Sequence, residues 1–561
     1  MLRRWGKVAR TSEIHPDEIL IDSSNLPDFD TDQFEGRIER PLSRRTHLVA
    51  AGLVGVLLSG YAVQAFALQI VNGAAYAKQA AENKLEEQIV FADRGLLTDR
   101  TGAELAYNVR ASTEDEFAER LYAPFRGVAH VVGYTKAPTK DASGNYFRTT
   151  FVGIEGMEKV YDGTLAGKNG TRLTETDAKG NVVSESAQRS PITGGTIALS
   201  IDAEVTQALH DAIAARAEGS HFQGGAGVII DVKTGELLAM TNYPEYSPQD
   251  LLYGREDVLL QLRNDARQPF LNRAVTGLYA PGSVIKPLIA MAALSEGIID
   301  EQKQILSTGS ISIPNPYNPE LPSVFKDWRA HGYVDMRHAL AVSSDVYFYV
   351  VGGGYKDQRG LGINAIDRYL QFFGLGNATG LAGFAEPAGT IPTPEWKEKT
   401  FNGDPWRVGD TYNTSIGQYG VTVTPLQMAR SVAAIANSGT LLVPTLIASS
   451  TPQKTFLPFT EHSFEVVKEG MRMAVTGGTA AAVNMPFMQV AGKTGTAQVG
   501  AANQFMNSWI IGFYPYESPR YAFAVVLERA PAGTGVGAPA AMNAFLWWME
   551  QHAPEYLATS Y

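Results

Sequence analysis

The 561-residue chain contains no cysteine. That absence excludes disulfide bonds, thiolate nucleophiles and cysteine-ligated zinc together. A basic surplus is also missing. The 47 lysines and arginines stand against 58 aspartates and glutamates, a net charge of −11, so no nucleic-acid-binding face is advertised. Long apolar runs are scarce as well: one charge-free run, Leu48 to Ile70, is followed by no second span.

That run is long enough to cross a bilayer with some tilt. Arg37, Arg40, Arg44 and Arg45 precede it, and positive charge flanking a span stays on the cytoplasmic side. The expectation is a single-pass plasma (inner) membrane protein with a cytoplasmic N-terminus and an extracytoplasmic remainder. A cleaved signal peptide is the alternative, with Ala75-Tyr76-Ala77 as a small-x-small site. Signal cores run about 7–15 residues, however, and this one is longer and follows a polar leader, so an uncleaved anchor is expected.

The length requires more than one domain. Residues 1–45 read as a flexible cytoplasmic tail and 46–71 as the anchor. Residues 72–190 read as a short, β-rich pedestal of the dimerisation type, with a juxtamembrane helix over Ala74–Gln88 and a strand, turn and strand start over Arg94–Gly102. Residues 191–561 form the main domain. There, Val205, Ala208, Leu209, Ala212 and Ile213 share one face of a helix over Glu204–Arg216. Gly227–Val232 and Glu236–Asn242 read as a hairpin, and residues 283 to about 475 as mostly helical with long loops. Thr424 as N-cap, Pro425 at the first position and Asn437-Ser438-Gly439 as the stop delimit one helix. Strands return at Met488–Gln498, Trp509–Tyr514 and Tyr521–Glu528, before a last helix over Ala540–His552. Strands at both ends with helices between predict one sheet flanked by helices, an α+β fold.

The chemistry centres on Tyr279-Ala280-Pro281-Gly282-Ser283-Val284-Ile285-Lys286-Pro287. Residues three apart on a helix share a face, which sets Lys286 beside Ser283. Pro287 is harmless in a first turn, where amides have no internal partner. A serine next to an amine, with no evident histidine partner, suggests nucleophilic catalysis with lysine as the base. The pair proves little alone, because Ser323-Val324-Phe325-Lys326 repeats it in a loop rich in proline and asparagine. Lys-Thr-Gly also occurs twice: Lys233-Thr234-Gly235 reads as a hairpin turn, and Lys493-Thr494-Gly495-Thr496 follows an apolar stretch.

Order separates signal from chance. Ser283/Lys286, then Ser343-Ser344-Asp345 between two helical stretches, then Lys493-Thr494-Gly495 form the motif trio of penicillin-binding proteins and class A β-lactamases. Aspartate replaces the commoner asparagine in the second motif, keeping an acceptor and losing an amide donor. Asp345 also has a purely structural reading, as the cap of a helix starting at Val346.

The surroundings extend the likeness. Asn272-Arg273-Ala274, Gly409 to Gln418, Thr424-Pro425-Leu426-Gln427, Arg94 to Arg100 and Gly153-Ile154-Glu155-Gly156 all resemble class B penicillin-binding proteins, over about residues 46 to 550. Asp345 followed by Val346-Tyr347-Phe348-Tyr349 resembles the elongation-type members rather than those of division. The resemblance implies a penicillin-recognising serine transpeptidase fold, an antiparallel sheet flanked by helices, and a membrane-anchored peptidoglycan D,D-transpeptidase.

It also implies roles. Ser283 attacks the carbonyl of a D-Ala-D-Ala stem peptide and forms an acyl-enzyme, which an amine of a second stem resolves into a cross-link. β-Lactams trap the same serine. Lys286 acts as base if its pKa falls from about 10.4, through burial and the nearby cation Lys493. Ser343 relays the proton and Asp345 positions it. Amides of Ser283 and Thr496 form an oxyanion hole, worth about 3–4 kcal/mol per donor. Thr494, Gly495 and Thr496, with Lys493, hold the terminal carboxylate. No cofactor is implied. Some elongation-type relatives bind zinc where Asp327 and His331 fall, but the spacing here is tighter and no cysteine completes the set, so no metal is expected. The implied partner is a SEDS-type glycosyltransferase, since no glycosyltransferase domain fits residues 71–190.

Two further departures stand out. Only 11 residues separate Asn108 from Arg120, where the family inserts a head subdomain, and Gly417-Gln418-Tyr419-Gly420 stands in place of Gly-Gln-Gly-Tyr. Two other functions compete. A carboxypeptidase or β-lactamase would resolve the acyl-enzyme with water, and no glutamate clearly supplies the deacylating base. A non-enzymatic β-lactam receptor is the other, but such sensors carry several spans.

Overall fold

The structure, a computed structural model, describes residues 43–82, 85–176, 182–315, 318, 320–535 and 537–558. The expected tail therefore lies almost wholly outside the described residues. The chain divides into two units, residues 1–86 with 175–181, and residues 87–174 with 182–561.

The first unit contains helix α1, Arg44–Phe66, which runs on through a π-helical turn at Ala67–Val71. Ser43 caps it by accepting the Thr46 amide at 3.3 Å. The combined 28 residues form the only helix among those described that is long and apolar enough to cross a membrane. At 1.5 Å per residue they extend about 42 Å, against a hydrocarbon core of about 30 Å. The following helix spans Gly73–Glu82 and a strand begins at Leu85, so the juxtamembrane helix is shorter than expected. The β-branched pair Ile89-Val90 favours the strand.

In the second unit, β1 (Leu97–Thr98), β2 (Glu104–Val109) and β3 (Glu119–Tyr122) pair antiparallel, and β4 (Ile197–Ala198) joins β1 in parallel, giving the order β4-β1-β2-β3. Asp99 organises the β1–β2 turn. Its Oδ1 accepts the amides of Thr101 and Ala103 at 2.8 and 2.9 Å, and its Oδ2 accepts the amide of Ala203 at 3.0 Å. Beside this sheet lies a buried charge triad. Glu158 accepts from Arg94 Nε at 2.6 Å and Arg120 Nε at 2.8 Å, with all three side chains at most 1% exposed. The guanidinium groups also reach the carbonyls of Phe151 and Gly95. A buried charge persists only when paired and hydrogen-bonded, which explains an arginine at position 94 where a strand residue was expected.

The main domain is built on five antiparallel strands: β5 (Gly224–Asp231), β6 (Leu237–Tyr243), β7 (Ala491–Val499), β8 (Phe505–Tyr514) and β9 (Tyr521–Pro531), in the order β6-β5-β9-β8-β7. Side chains alternate between faces along a strand, and both faces here are covered. Ala226, Val228, Ile230, Ala524 and Val526 join one apolar core with helix α2 (Pro425–Ala436), every residue of which is buried. Ile229, Phe523, Val525 and Leu527 join the other, with helices α3 (Ala203–Gly219) and α4 (Ala538–His552). Helix α2 begins as its sequence specifies: Thr424 and Gln427 exchange side-chain bonds to each other's amides at 3.1 and 2.8 Å, behind Pro425. The stretch expected to be mostly helical also carries short strands, at 305–307, 310–313, 323–326, 332–334, 440–442 and 454–456.

Glu245, just after β6, accepts the amides of Gly127 at 2.5 Å and Ala129 at 3.1 Å. Burial pushes its carboxyl up to about 7, with those two amides opposing. A carboxyl raised above its unfolded value of about 4.5 binds more protons in the folded state. Its contribution is therefore fully present below pH 4.5 and lost as the pH rises through 7. In urea titrations at pH 4.5 and 7.5, Glu245→Gln is expected to lose less stability over that interval than the parent, by up to about 3 kcal/mol.

Candidate active site

Ser283 sits in a 3₁₀ turn, Gly282–Ile285, that feeds directly into helix α5, Lys286–Ser295. Side chains three apart eclipse in such a turn, so Ser283 and Lys286 share a face. The turn is wedged between two backbones. Gly282 has φ +56°, and a β-carbon there would come within 2.9 Å of the Thr496 carbonyl. On the other side its amide donates to the Gly417 carbonyl at 3.0 Å. Gly417 has φ +76°, and a β-carbon there would overlap the Gly282 backbone.

The second motif joins two helices, α6 (Met336–Val342) and α7 (Asp345–Gly353). Ser343 ends α6 in the left-handed conformation, φ 58° and ψ 40°. Ser344 caps α7, accepting the Tyr347 amide at 3.2 Å. The cap proposed for Asp345 therefore belongs to Ser344. Asp345 opens the helix and faces Lys286, accepting from Nζ at 2.7 Å. Lys286 is fully buried and donates also to the Ser343 carbonyl at 2.8 Å and to Ser343 Oγ at 3.3 Å. Thus Lys286 shares a face with Ser283, but its ammonium reaches across to the second motif.

The third motif lies on β7, at the edge of the sheet. Lys493 is fully buried and donates to Ser343 Oγ at 2.8 Å and to the Thr494 carbonyl at 2.9 Å. Burial, followed by the positive charge of Lys286, pushes Lys493 well below the ordinary lysine value, with Asp345 opposing. The lysine expected to act as the fixed cation is thus itself lowered.

A cavity of about 510 Å³ opens onto Ser283, Ser343, Asp345, Thr494, Gly495 and Thr496, and Trp328, Thr479, Trp509 and Thr534 also line it. The eight residues singled out in the sequence therefore form one cluster, six lining the cavity and two lysines buried behind Ser343. The duplicate motifs lie elsewhere. Ser323 and Lys326 fall in a strand paired with 310–313, not a loop, and residues three apart on a strand point to opposite faces. Lys233-Thr234-Gly235 is a turn held by Asp231. Among the described residues no group of three or more histidine, aspartate or glutamate side chains could hold a metal.

Sequence reasoning missed Thr479, whose hydroxyl accepts from Thr494 Oγ1 at 2.8 Å, and Trp509, which donates to the Ala280 carbonyl at 3.0 Å. It also left the Gly417–Gly420 loop unexplained. Tyr419 there has φ 59°, a conformation that costs most side chains about 1–2 kcal/mol. Its ring is enclosed by Trp396, Phe401 and Trp406 at centroid distances of 6.1, 6.2 and 5.9 Å, with Lys397 Nζ 5.7 Å from its centre. Aromatic packing of this kind offsets the backbone cost.

A two-faced antiparallel sheet, with a serine and two buried lysines meeting at its edge, defines a serine acyltransferase of the penicillin-recognising kind. Residues 225–546 match the penicillin-binding protein transpeptidase domain, and residues 112–199 match the penicillin-binding protein dimerisation domain. The peptidoglycan D,D-transpeptidase MrdA of Acinetobacter baumannii is 32% identical over 456 residues, which span 75% of this chain and 64% of the relative's own length. The crystal structure of Pseudomonas aeruginosa PBP2 in complex with WCK 5153 superposes with a TM-score of 0.68 at 29% identity, covering 83% of this chain and 97% of that one. A chain from a structure entitled "Structural coordination of polymerization and crosslinking by a peptidoglycan synthase complex" gives 0.70 at 25% identity, covering 92% of this chain and 99% of that one. The chain belongs to the penicillin-binding protein transpeptidase family, in its class B, elongation-type branch.

Gly417→Ala tests the wedge around the nucleophile turn. A misplacement of about 1 Å at a reacting group costs on the order of 100-fold. A loss of about that size is expected in the rate of labelling by a fluorescent penicillin, with a lowered thermal midpoint as well, since the overlap and the positive φ both strain the loop.

Proposed function

We propose that this chain is a single-pass membrane D,D-transpeptidase that cross-links peptidoglycan stem peptides through an acyl-enzyme on Ser283, in cell-wall elongation. The observation that carries the reading is the one hydroxyl, Ser343 Oγ, held by both buried lysines in a cavity that also exposes Ser283 and the Thr494–Thr496 strand. The single apolar helix supports an anchor, and the arginines before the apolar run support a cytoplasmic N-terminus.

In the proposed sequence, a D-Ala-D-Ala terminus lies along β7 with its carboxylate at Thr494, Thr496 and Lys493. Lys286, in its neutral form, takes the proton of Ser283 as the serine attacks the penultimate carbonyl. Amides of Ser283 and Thr496 receive the oxyanion, and Asp345 holds the Lys286 ammonium. The proton passes through Ser343 to the departing amine, and D-Ala leaves. An amine from a second stem then attacks the ester, returns its proton along the same path and restores the Ser283 hydroxyl as the new amide forms. The relative from a peptidoglycan synthase complex supports a polymerising partner, and the sequence resemblance makes that partner a SEDS-type glycosyltransferase engaged through the anchor and pedestal. The short link between β2 and β3 leaves that surface without a head subdomain.

Burial favours the neutral form of Lys493, and a bound carboxylate supplies the missing counter-charge. Ligand binding is therefore expected to take up protons between the depressed Lys493 value and about 10.4, and to weaken as the pH rises through that window. Proton uptake by the Ser283→Ala variant on mixing with benzylpenicillin, in weakly buffered solution at pH 8–9, measures this; release of protons would contradict it.

Labelling with a fluorescent penicillin tests the nucleophile. Ser283→Ala should lose the label entirely and Ser323→Ala should keep it. Label retained on Ser283→Ala would sink the assignment. Accumulation of cross-linked dimers from purified stem substrates separates transpeptidation from hydrolysis.

A further inference from the structure

The junction that presents Ser343 and Asp345 to Lys286 is two residues long and includes a left-handed serine, so something must hold it. The holder lies outside the three motifs. Asp327, at the end of the strand 323–326, has a side chain 0% exposed and no arginine or lysine bonded to it. Its Oδ2 accepts from Ser344 Oγ at 2.8 Å, the Val346 amide at 3.0 Å and Ser307 Oγ at 3.1 Å. Its Oδ1 accepts the Trp328 amide at 2.9 Å and lies 3.4 Å from His331 Nε2. Burial works to raise this carboxyl, yet the Val346 amide, the Ser344 hydroxyl, the Asp345 amide and the Lys286 charge hold it below its ordinary value. It is thus a buried anion seated at the positive end of α7, where it satisfies amides that have no partner within the helix.

We infer that Asp327 is a positioning residue for acyl transfer: by clamping Ser344 and Val346 it fixes the two neighbours of Ser344, so that Ser343 Oγ and Asp345 stay on Lys286. The clamp acts on both sides of one residue. Ser344 is tied through its side chain and Val346 through its backbone, so the backbone of Asp345, between them, cannot rotate and re-aim its carboxylate without breaking a bond to Asp327. The same loop carries Trp328, whose ring lines the cavity and whose Nε1 donates to the Val342 carbonyl at 3.2 Å. This closes the connection from the loop back to α6.

The inference rests on Ser283 being the nucleophile, so the first measurement is labelling of the parent chain and of Ser283→Ala. If the parent is not labelled at Ser283, the functional reading fails and not this one. With that established, the acylation rate constant and the preceding non-covalent dissociation constant are measured separately by stopped flow for the full-length Asp327→Asn, Asp327→Ala and Ser344→Ala variants. Asp327→Asn keeps the shape but not the charge and is expected to lower the acylation rate constant about tenfold. Asp327→Ala should lower it by about a hundredfold, with the dissociation constant unchanged within twofold in each. Asp327→Asn combined with Ser344→Ala should cost less than the product of the two, since they break a shared bond. If Asp327→Ala does not fold, Asp327→Asn and Ser344→Ala carry the test. An acylation rate constant unchanged in folded Asp327→Asn overturns the inference. So does a loss that tracks thermal midpoint across all variants, which marks a role in stability alone. A parent chain that loses acylation on chelation and regains it with a divalent cation also overturns it, by assigning Asp327 and His331 to an ion.

Discussion

Two lysines buried around one serine hydroxyl form the constraint on which the rest depends. Two like charges in a dry interior repel and are each costly to desolvate. The arrangement persists because Asp345 pairs with one of them and because the other is driven toward its neutral form. Every element near the site serves that compromise. The sheet edge delivers Lys493, α5 delivers Lys286, and the break between α6 and α7 delivers the hydroxyl and the carboxylate from adjacent turns. No single helix or strand could have supplied all four groups at these distances.

Close backbone approach is what allows the parts to meet. The nucleophile turn touches β7 on one side and the Gly417 loop on the other, at positions with no room for a β-carbon. That crowding explains why the loop can carry Tyr419 in a left-handed conformation. The cost is offset remotely, by an aromatic enclosure that also orders Lys397 between Asp404 and Asp410. The likeness around Asn272-Arg273-Ala274 has a similar basis. Arg273 Nε meets Glu528 at 2.6 Å, and the Ala274 amide donates to Asn242 at 2.7 Å, so the stretch ties the approach to the site onto β9 and β6.

Much of this was legible in the residues. The capping box at Thr424, the hairpin at Asp231 to Leu237, the late strands and the Ser283/Lys286 pair follow from spacing and local chemistry, which act over a few residues. Motif order then chose between duplicates that spacing could not separate. What escaped detection depends on contacts between distant segments. Asp327 reaches Ser344, Thr494 reaches Thr479, and Arg94 reaches Glu158, 64 positions along the chain. Nothing local marks the contacts that such residues make. The exchange of roles at Asp345 and Ser344 is instructive, because either could cap a helix in isolation and only Lys286, 59 positions earlier, draws Asp345 away.

The buried triad and the Asp99 turn bear on how the chain is made. Arg94, Arg120 and Glu158 come together from three separated segments, β1 receives a parallel neighbour only at residue 197, and Asp99 completes its bonds only at Ala203. The layer that follows the anchor in sequence thus closes across about a hundred residues of chain, from β1 to the start of α3. Until the polypeptide extends past the start of α3, β1 lacks its parallel neighbour and Asp99 lacks the Ala203 amide. A nascent chain stalled or cut before that point leaves an unfinished sheet, and the region works less as a spacer added to an enzyme than as a latch shut by the enzyme's own first helix.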